Sequence, residues 1–277
     1  MVKRLSRLLT STGLYIPLAI TAIFMMLPFV WMLSTSFKPQ DEIFTTPPML
    51  ISRNMSLDGY RYIIDLGVFR SLGNSFFVAF TFTVVSLFFC SLGGYGFAKF
   101  RFPGRNHLFA FLLATMIIPP AVTMVPVYVM MQKMNWINTY WPLIVPGAAN
   151  AFGIFFMRQY ITSLNDELLD AARIDGCSEF SVFTRIVLPI IAPGLITLGL
   201  IFFMSSWNNY LGPLIYLKSG DKFTLPLFMM QMQGPPGFSA FREWMGVAVI
   251  SVLPLLLIFM AFQRRFTEGI TAGAVKE

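Results

Sequence analysis

The sequence predicts an all-α integral membrane protein, and three observations support this fold class. Of the 277 residues, 56% are hydrophobic and only 12% are charged, whereas a soluble globular protein carries about 25% charged residues. The mean hydropathy of the chain is +0.68. The apolar residues are concentrated in segments of about 20 residues, the length that an α-helix needs to cross about 30 Å of hydrocarbon. Lipid is therefore the expected solvent for most of the protein surface.

Six segments are long and apolar enough to cross the membrane, so the whole chain, residues 1–277, is predicted to form a single transmembrane domain. Their approximate bounds are 14–36, 71–98, 107–131, 140–157, 189–217 and 244–262. The first segment follows the basic residues VKRLSR, but its apolar part is far longer than the roughly 7–15 residues of a signal peptide. We expect it to be retained as a membrane anchor. The third and fifth segments contain prolines and are long enough to tilt or bend.

Lysine and arginine residues cluster at alternate ends of these segments. They precede the first segment, lie between the second and third and between the fourth and fifth, and follow the sixth: Lys3, Arg4, Arg7, Lys99, Arg101, Arg105, Arg158, Arg173, Arg185, Arg264, Arg265 and Lys276. The positive-inside rule therefore places both termini in the cytoplasm. The net charge of +7 reflects this topology, and we expect no nucleic-acid partner.

The interiors of the six segments contain no Asp, Glu, Lys or Arg. Ion-coupled carriers and voltage sensors place such groups inside the membrane, so both classes are disfavoured. The chain has no G-x-x-x-x-G-K-[ST] phosphate loop. Its single histidine, His107, and its two cysteines, Cys90 and Cys177, are too few and too far apart for a metal site or a catalytic triad. No catalytic, metal-binding or cofactor-binding residue is predicted, and energy for uphill transport must come from another subunit.

A polar segment, residues 163–188, interrupts the apolar sequence and is expected to form two short helices joined by a tight bend. Ser163 is followed three residues later by an acid, which is the spacing of a capping box. Arg173 lies near the end of the first helix, where a cation suits the helix dipole. Gly176 is suited to the left-handed conformation that ends a helix. Ser178 is placed to cap the second helix.

The composition of this segment favours contact with another surface. Ala171 and Ala172 leave a low profile that lets a partner approach the backbone, while Leu168 and Phe180 are candidate anchors for a helix-in-groove contact. The residues alone also allow an amphipathic helix that lies on the bilayer surface.

The same segment resembles the EAA motif of ABC importer permeases, in which Glu-Ala-Ala is followed by three residues, Gly, nine residues and Ile-x-Leu-Pro. This chain has Asp170, Ala171, Ala172, Gly176, Ile186, Leu188 and Pro189 at that spacing. Asp170 departs from the motif because its side chain is one methylene shorter than glutamate. The resemblance implies that the segment is a coupling helix that docks into a groove of an ATPase subunit. The residues implied in docking are Leu168, Asp170, Ala171, Ala172, Asp175, Gly176 and Phe180.

The resemblance extends over nearly the whole chain and is closest to the maltose-type carbohydrate permeases. It rests on NSFFVAF, GGYGFAKFRFPGRN (93–106), NWINTYWPLIVP (135–146), FFMRQY (155–160), WNNYLGPL (207–214) and QRRFTEGITAGAVKE at the end. It implies a type I ABC importer permease bundle of six transmembrane helices, similar to the shorter member of the permease pair. The terminal GITAGAVKE, 269–277, either touches the ATPases or is a solvated tail.

The resemblance also implies an assembly in the inner membrane of a bacterial or archaeal cell. The expected partners are a second homologous permease, two ATP-binding subunits that hold ATP and Mg, and an extracellular or periplasmic solute-binding protein. No cofactor is expected in this chain. The outer loops 37–70 and 234–240 are candidate docking sites for the binding protein, or simple connectors.

Because the spans carry no charge, the expected substrate is a neutral sugar or oligosaccharide. The candidate pathway residues are polar or aromatic residues inside the spans: Thr115, Asn150, Trp207, Asn208, Asn209 and Tyr210. Thr115 precedes a Pro-Pro pair, which frees backbone carbonyls that are tolerated where they face protein or water. The alternative roles are hydrogen bonds between helices and, for Trp207 and Tyr210, the aromatic belt.

The sequence thus predicts a transport subunit that converts ATPase motion into alternating access and is not itself an enzyme. Three alternatives stay open. A permease for glycerol phosphate or another polyol would usually need Arg or Lys along its pathway. A stand-alone facilitator would explain the uncharged spans but not the shaped polar segment. An intramembrane enzyme would turn over substrate alone and lacks candidate residues.

Overall fold

A computed structural model describes residues 2–52, 54–232 and 240–274, and the side chains of residues 15–52, 54–232 and 240–263. Fourteen α-helices occur among the described residues: α1 Val2–Ser36, α2 Asp58–Asp65, α3 Val68–Lys99, α4 Arg105–Thr115, α5 Pro120–Lys133, α6 Trp141–Ile144, α7 Ala151–Thr162, α8 Asp166–Ile174, α9 Glu179–Val182, α10 Leu188–Ile190, α11 Ala192–Trp207, α12 Leu211–Tyr216, α13 Leu225–Gln231 and α14 Phe241–Ala274. A π-helical turn, Phe183–Val187, joins α9 to α10. The described part of the chain contains no β-strand, so the predicted all-α class is confirmed.

The helices pack as two compact units. Unit 1 consists of Met1–Val68 and Met229–Pro254, and unit 2 consists of Phe69–Phe228 and Leu255–Glu277. Helix α14 contributes residues to both units, since the division between them falls after Pro254. The division describes packing within the chain, and the single transmembrane domain proposed from the sequence stays a prediction.

Three described helices are long and apolar enough to cross a membrane. They are Tyr15–Ser36, Val68–Lys99 and Phe241–Gln263. Two bent pairs also qualify if each counts as one span: α4 with α5, bent by 97°, and Glu179–Ile190 with α11, bent by 80°. Prolines lie at both bends, where the missing N–H and the ring prevent a continuous helix. The predicted bending of the third and fifth segments is confirmed.

The fourth predicted segment, 140–157, does not form one helix. The helix α6 ends at Ile144 and α7 begins at Ala151, with Pro146 and Gly147 between them. Asn150 starts the new helix because its side-chain oxygen accepts a hydrogen bond from the Gly153 amide at 2.8 Å. The described helices therefore give three spans, or up to five, and six spans stay a prediction.

The core of unit 2 includes one side of the polar segment 163–188. The buried residues of this core come from α3, α7, α8, α9, the π-helical turn, the position between α10 and α11, and α11: Cys90, Tyr95, Ile154, Met157, Ile161, Leu169, Ala172, Val182, Phe183, Val187, Ile191, Leu198 and Phe202. The segment is thus packed into the helical bundle along one face.

Helices α3 and α7 approach each other closely at a glycine. A Cβ atom at Gly94 would lie 2.7 Å from Cβ of Met157 and 2.8 Å from the backbone nitrogen of Arg158. Small residues allow such close helix packing in membrane proteins. Because α7 leads directly into the polar segment, this contact positions the segment against α3.

Unit 1 contains a buried lysine at the end of α1. Lys38 has no exposed surface, and its ammonium donates a 2.6 Å hydrogen bond to the Met49 carbonyl while lying 4.2 Å from the ring centre of Trp31. A carbonyl and an aromatic face together offset part of the cost of burying a charge. Lys38 therefore links the end of α1 to the following segment at Met49.

Candidate functional site

The polar segment, residues 163–188, forms the predicted bent pair of helices, and we call it the coupling segment. The bend lies at Gly176, whose φ is +82°, a conformation that glycine adopts at little cost. The Cys177 amide donates to the Ala172 carbonyl and the Gly176 amide to the Arg173 carbonyl, both at 3.0 Å. These two bonds are those of a Schellman motif, which satisfies the last carbonyls of a helix. The predicted turn at Gly176 is confirmed.

The start of the first helix differs from the prediction. Asn165 caps α8, because its side-chain oxygen accepts from the Glu167 amide at 3.0 Å. Ser163 instead donates its hydroxyl to the Tyr160 carbonyl at 2.8 Å, since α7 continues as far as Thr162. The predicted cap at Ser163 is wrong because the preceding helix uses that residue. The second predicted cap is confirmed: the hydroxyl of Ser178 accepts from the Ser181 amide at 3.3 Å.

An arginine joins the two helices across the bend. Nε of Arg173 donates to Oε1 of Glu179 at 2.7 Å, and Nη2 donates to Oε2 at 3.3 Å. Nη1 of the same guanidinium donates to Oδ1 of Asp170 at 2.7 Å. These hydrogen bonds from Arg173 hold the pKa of Glu179 below its usual value, against the opposing effect of burial. The shorter motif residue Asp170 therefore has a partner inside the coupling segment.

The coupling segment has one buried face and one exposed face. Leu169 is 1% exposed and Ala172 is 8% exposed, so both pack into the core of unit 2. The exposed face carries three large apolar side chains: Leu168 at 47%, Ile174 at 86% and Phe180 at 61%. Such exposed apolar groups on a polar segment are typical of contact with another protein or with a membrane surface.

Six of the seven residues implied in docking lie on the exposed face. We define the coupling surface as Leu168, Asp170, Ala171, Ile174, Asp175, Gly176 and Phe180. Ala172 is not part of it, because its small side chain packs inward and serves the core. The sequence-based prediction omitted Ile174, although an isoleucine one turn after Asp170 and directly before the bend is the signal that identifies it.

A cavity of about 260 Å³ lies within unit 2 and combines apolar walls with several polar groups. Its lining residues are Phe82, Pro142, Leu143, Gly147, Ser205, Ser206, Asn209, Gly212 and Tyr216. Hydroxyl and amide groups among apolar and aromatic walls can hydrogen-bond an uncharged polar molecule. Of the six predicted pathway residues, only Asn209 lines this cavity.

Three of the other predicted pathway residues have clear local roles. Asn150 caps α7 with its side-chain oxygen and donates its amide to the Gly147 carbonyl at 3.1 Å. Thr115 is exposed, and its hydroxyl donates to the Leu112 carbonyl at 2.6 Å. Asn208 is exposed, and its amide donates to the Met204 carbonyl at 2.9 Å. These contacts support helix ends and bends.

The two aromatic candidates lie at the end of α11 and the start of α12. Trp207 is 1% exposed and stacks on Phe203 with ring centres 5.5 Å apart. Its indole N–H has no hydrogen-bond partner among the described residues. Tyr210 is half-buried and directly precedes α12. The structure leaves the pathway roles of both residues a prediction.

Some predicted elements fall outside the described residues. The outer loop 234–240 does so except for Ala240, and so do the side chains of the terminal stretch 269–277. Among residues whose side chains are described, no group of three or more His, Cys, Asp or Glu is placed to hold a metal ion.

Comparison with known proteins gives relatives along the whole chain. The arabinooligosaccharides transport system permease protein AraQ of Halalkalibacterium halodurans is 35% identical over 99% of this chain and 100% of the relative. AraQ of Bacillus subtilis is 36% identical over 94% of this chain and 95% of the relative. The lactose transport system permease protein LacG of Rhizobium radiobacter is 32% identical over 100% of both.

A solved structure has the same fold. It is a chain of a bacterial ABC transporter involved in the import of the acidic polysaccharide alginate, and it aligns with a TM-score of 0.82 at 21% identity. The alignment covers 93% of this chain and 96% of the other. The type I ABC importer permease fold predicted from the sequence is thus confirmed.

The family model described as "Binding-protein-dependent transport system inner membrane component" matches residues 90–271. This range contains the coupling segment and every residue that lines the cavity except Phe82. Together with the identity to its relatives, the match establishes that the chain belongs to the family of binding-protein-dependent transport system inner membrane components.

Proposed function

We propose that this chain is the permease subunit of an ABC importer for a neutral sugar or oligosaccharide. The observation that carries the proposal is the coupling surface, whose exposed Ile174 and Phe180 flank a sharp bend between helices that reach into the bundle. Relatives described as permeases for arabinooligosaccharides and lactose support the substrate class.

The coupling segment is suited to convert motion of a partner into motion of the bundle. Its exposed face would contact an ATPase subunit, while Leu169 and Phe183 on its buried face pack into the core of unit 2. Protein interiors are close-packed and transmit displacement. Closure of two ATPase subunits around ATP would therefore move the segment and switch the spans between inward-facing and outward-facing states.

The proposed assembly needs further subunits, because this chain has no phosphate-binding loop of its own. The chain has no G-x-x-x-x-G-K-[ST] sequence, so we place ATP and Mg in two partner ATP-binding subunits. A second permease would complete the pathway, and a solute-binding protein would deliver the sugar from outside. On this basis the chain is a transport subunit with no ATPase site of its own.

The proposed orientation has both termini in the cytoplasm. Lys99 lies in the basic connection after α3, and its ammonium is 2.6 Å from the Asp166 carboxylate at the start of the coupling segment. The contact supports this orientation because it puts two basic connections at the same end of unit 2, as the positive-inside rule requires of cytoplasmic loops.

The cavity supports an uncharged substrate. Its polar residues are Ser205, Ser206, Asn209 and Tyr216, and no lysine or arginine is found among the described residues that line it. A phosphate-bearing substrate would gain from a cation there, so glycerol phosphate ranks below a neutral saccharide. A stand-alone facilitator is the second alternative, and the coupling surface argues against it.

The proposal is tested by co-purification of the ATPase subunits with the tagged chain after expression with its neighbouring genes. Ile174→Asp combined with Phe180→Asp places two charges on the coupling surface and is expected to remove the ATPase while membrane insertion is unchanged. Tyr62→Asp is the matched control, because Tyr62 is an exposed aromatic residue at 53% exposure in α2 and is not part of the coupling segment. Retention of the ATPase by the double variant would contradict the proposal.

A further inference from the structure

Two side chains near the end of α3 hold the coupling segment at two separate places. Lys99 donates from its ammonium to the Leu164 carbonyl and to Oδ1 of Asp166, both at 2.6 Å. Tyr95 donates from its hydroxyl to Oε2 of Glu179 at 3.0 Å. Residues four apart on a helix lie on one face. One face of α3 therefore binds the start of α8 and the start of α9.

Both side chains are held by their surroundings. The side chain of Lys99 is 6% exposed, whereas that of its partner Asp166 is 76% exposed. Tyr95 is 3% exposed, and its ring lies 5.4 Å from the rings of both Phe100 and Phe183. A long side chain that is already confined loses little freedom when it forms a hydrogen bond. These contacts therefore differ from exposed ion pairs, which contribute little.

The opposite end of α3 is also hydrogen-bonded, to the connection before α13. The amide of Asn74 donates to the carbonyls of Asp221 and Phe223 at 2.9 and 3.0 Å. The hydroxyl of Ser75 accepts from the Leu225 amide at 2.7 Å. Tyr95 lies 20 positions after Ser75, which corresponds to about 30 Å of helix, the thickness of the hydrocarbon core.

Helix α3 is a long, proline-free helix attached to the coupling segment. It has 32 residues and no proline, whereas the helices that follow the coupling segment are bent by 80° before α11. Sharp helix kinks have identifiable causes, such as proline, Gly/Ser pairs or a π-bulge. The glycine pair in α3, Gly93–Gly94, is packed against Ile154 and Met157 of α7, which restricts bending there. A displacement at one end of α3 is therefore conveyed to the other end with little loss.

We propose that α3 is a rigid rod that carries movement of the coupling segment to the connection 221–225 at the other end of unit 2. Tyr95 and Lys99 are positioning residues at the end next to the coupling segment, and Asn74 and Ser75 are their counterparts at the far end. The inference rests on the proposed function, because docking of an ATPase supplies the movement. It adds a defined route by which nucleotide state reaches the opposite face of the membrane.

The test measures accessibility at the far end of the rod while nucleotide is bound at the other. Lys218→Cys puts a reactive thiol on an exposed position next to the connection, in a Cys177→Ser background, where the remaining Cys90 is fully buried. The rate of reaction with a membrane-impermeant maleimide is measured on the assembled transporter in proteoliposomes, with and without ATP, Mg and vanadate. We expect trapping to change this rate.

The rod is then disconnected by small changes. Tyr95→Phe removes one hydroxyl and Lys99→Met removes one ammonium, and each is expected to reduce the trapping-dependent change at least about threefold, as loss of about one hydrogen bond predicts. ATPase retention and ATP hydrolysis are expected to persist. Tyr160→Phe is the matched control, because the Tyr160 hydroxyl donates to no other described residue. Lys133→Met, at an exposed position at the end of α5, controls for loss of a cation.

Each outcome decides the proposal. An unchanged maleimide response in both variants would overturn it, and so would loss of ATPase retention in parallel with the response, which would indicate a purely structural role. Failure of the proposed function would give a different result, because the wild-type protein would then purify without a bound ATPase. In that case a spin label on Cys177 decides the positioning roles: its mobility must rise in Tyr95→Phe and not in Tyr160→Phe, and equal mobility would overturn them.

Discussion

Arg173 and Glu179 lie on either side of the bend at Gly176 and are joined by two hydrogen bonds, of 2.7 and 3.3 Å. A planar guanidinium that binds both oxygens of a carboxylate restricts their relative orientation. The angle between α8 and α9 is thus set by this pair together with the left-handed glycine. Because Ile174 and Phe180 sit directly beside the bend, their spacing on the coupling surface depends on the same contacts.

Replacement of Gly176 by proline is expected to destroy the coupling surface without affecting membrane insertion. Proline requires a φ near −65°, whereas Gly176 has a φ of +82° and donates its amide to Arg173. The measurement is ATPase co-purification together with ATP-dependent uptake, and both should be lost.

Gly96→Ala is the matched control for this substitution. Gly96 lies in α3 outside the left-handed region, and a Cβ there meets no atom within 4 Å, so function should be retained. Normal uptake by the proline variant would show that the bend is not needed for coupling.

The bridge between Arg173 and Glu179 predicts an acid-sensitive coupling segment. The pKa of Glu179 lies below its ordinary value of 4.5, mainly because of the hydrogen bonds from Arg173. A group whose pKa is lowered by folding stabilises the fold above its unfolded pKa, and this contribution is lost as the pH falls through the folded pKa. The mobility of a spin label on Cys177 should therefore be constant from about pH 8 to 5 and should rise below about pH 4.5.

Glu179→Gln separates this effect from other acid transitions. The variant should show raised mobility already at pH 7, and it should lack the part of the acid step that Glu179 contributes. Asp166→Asn removes the other carboxylate of the coupling segment whose pKa is lowered, in this case by the hydrogen bond from Lys99. The part of the acid step that this variant loses is the part that Asp166 contributes. A rise in mobility centred above pH 5 in the wild type, and present also in Glu179→Gln, would contradict the assignment of the acid step to Glu179.

Gly94→Ala is expected to destabilise the contact between α3 and α7. The added Cβ would lie 2.7 Å from Met157 and 2.8 Å from the backbone of Arg158, so the helices must move apart, at a cost of about 1–3 kcal/mol. A lower thermal unfolding temperature of the purified protein is the expected result. The nearby Gly96→Ala adds a Cβ that meets open space. Its free energy of unfolding should stay within about 0.5 kcal/mol of the wild-type value. Equal unfolding temperatures for the two variants would refute the close contact.

The cavity makes a distinction between two neighbouring asparagines. Both side chains are exposed and have a local hydrogen bond: the Asn209 oxygen accepts from the Gly212 amide at 3.0 Å, and the Asn208 amide donates to the Met204 carbonyl at 2.9 Å. Only Asn209 of the two lines the cavity. Asn209→Ala should raise the KM of sugar uptake several-fold, as loss of one hydrogen bond to a neutral solute predicts, with ATPase retention unchanged. Asn208→Ala should leave KM unaltered. Equal effects of both variants would favour the broader pathway predicted from the sequence over the cavity.

Local features of the coupling segment could be predicted from the sequence. The turn at Gly176 and the cap at Ser178 depend only on residues within a few positions, and their sequence signals are strong. The cap at Ser163 was predicted wrongly because Ser163 and Asn165 both carry a side-chain oxygen that can cap α8, and the end of α7 decides between them. The orientation of Ala172 toward the core likewise depends on where the bundle lies.

Contacts between residues far apart in the chain could not be predicted from local sequence patterns. Tyr95 and Glu179 are 84 positions apart, and Lys99 and Asp166 are 67 apart, so no helical or motif spacing relates them. The break in the segment 140–157 was missed for a different reason. Its composition is apolar throughout, and Pro146 with Gly147 was outweighed by the hydropathy of the window.

The most direct measurement of the central claim is site-specific crosslinking from Cys177, which is exposed at the bend, while the other cysteine, Cys90, is buried. A benzophenone maleimide attached to Cys177 in the assembled transporter should give, on illumination, an adduct of this chain with an ATP-binding subunit. The adduct should disappear in Cys177→Ser and in Ile174→Asp with Phe180→Asp. Adducts with lipid alone, in a preparation that hydrolyses ATP and takes up sugar, would contradict the account.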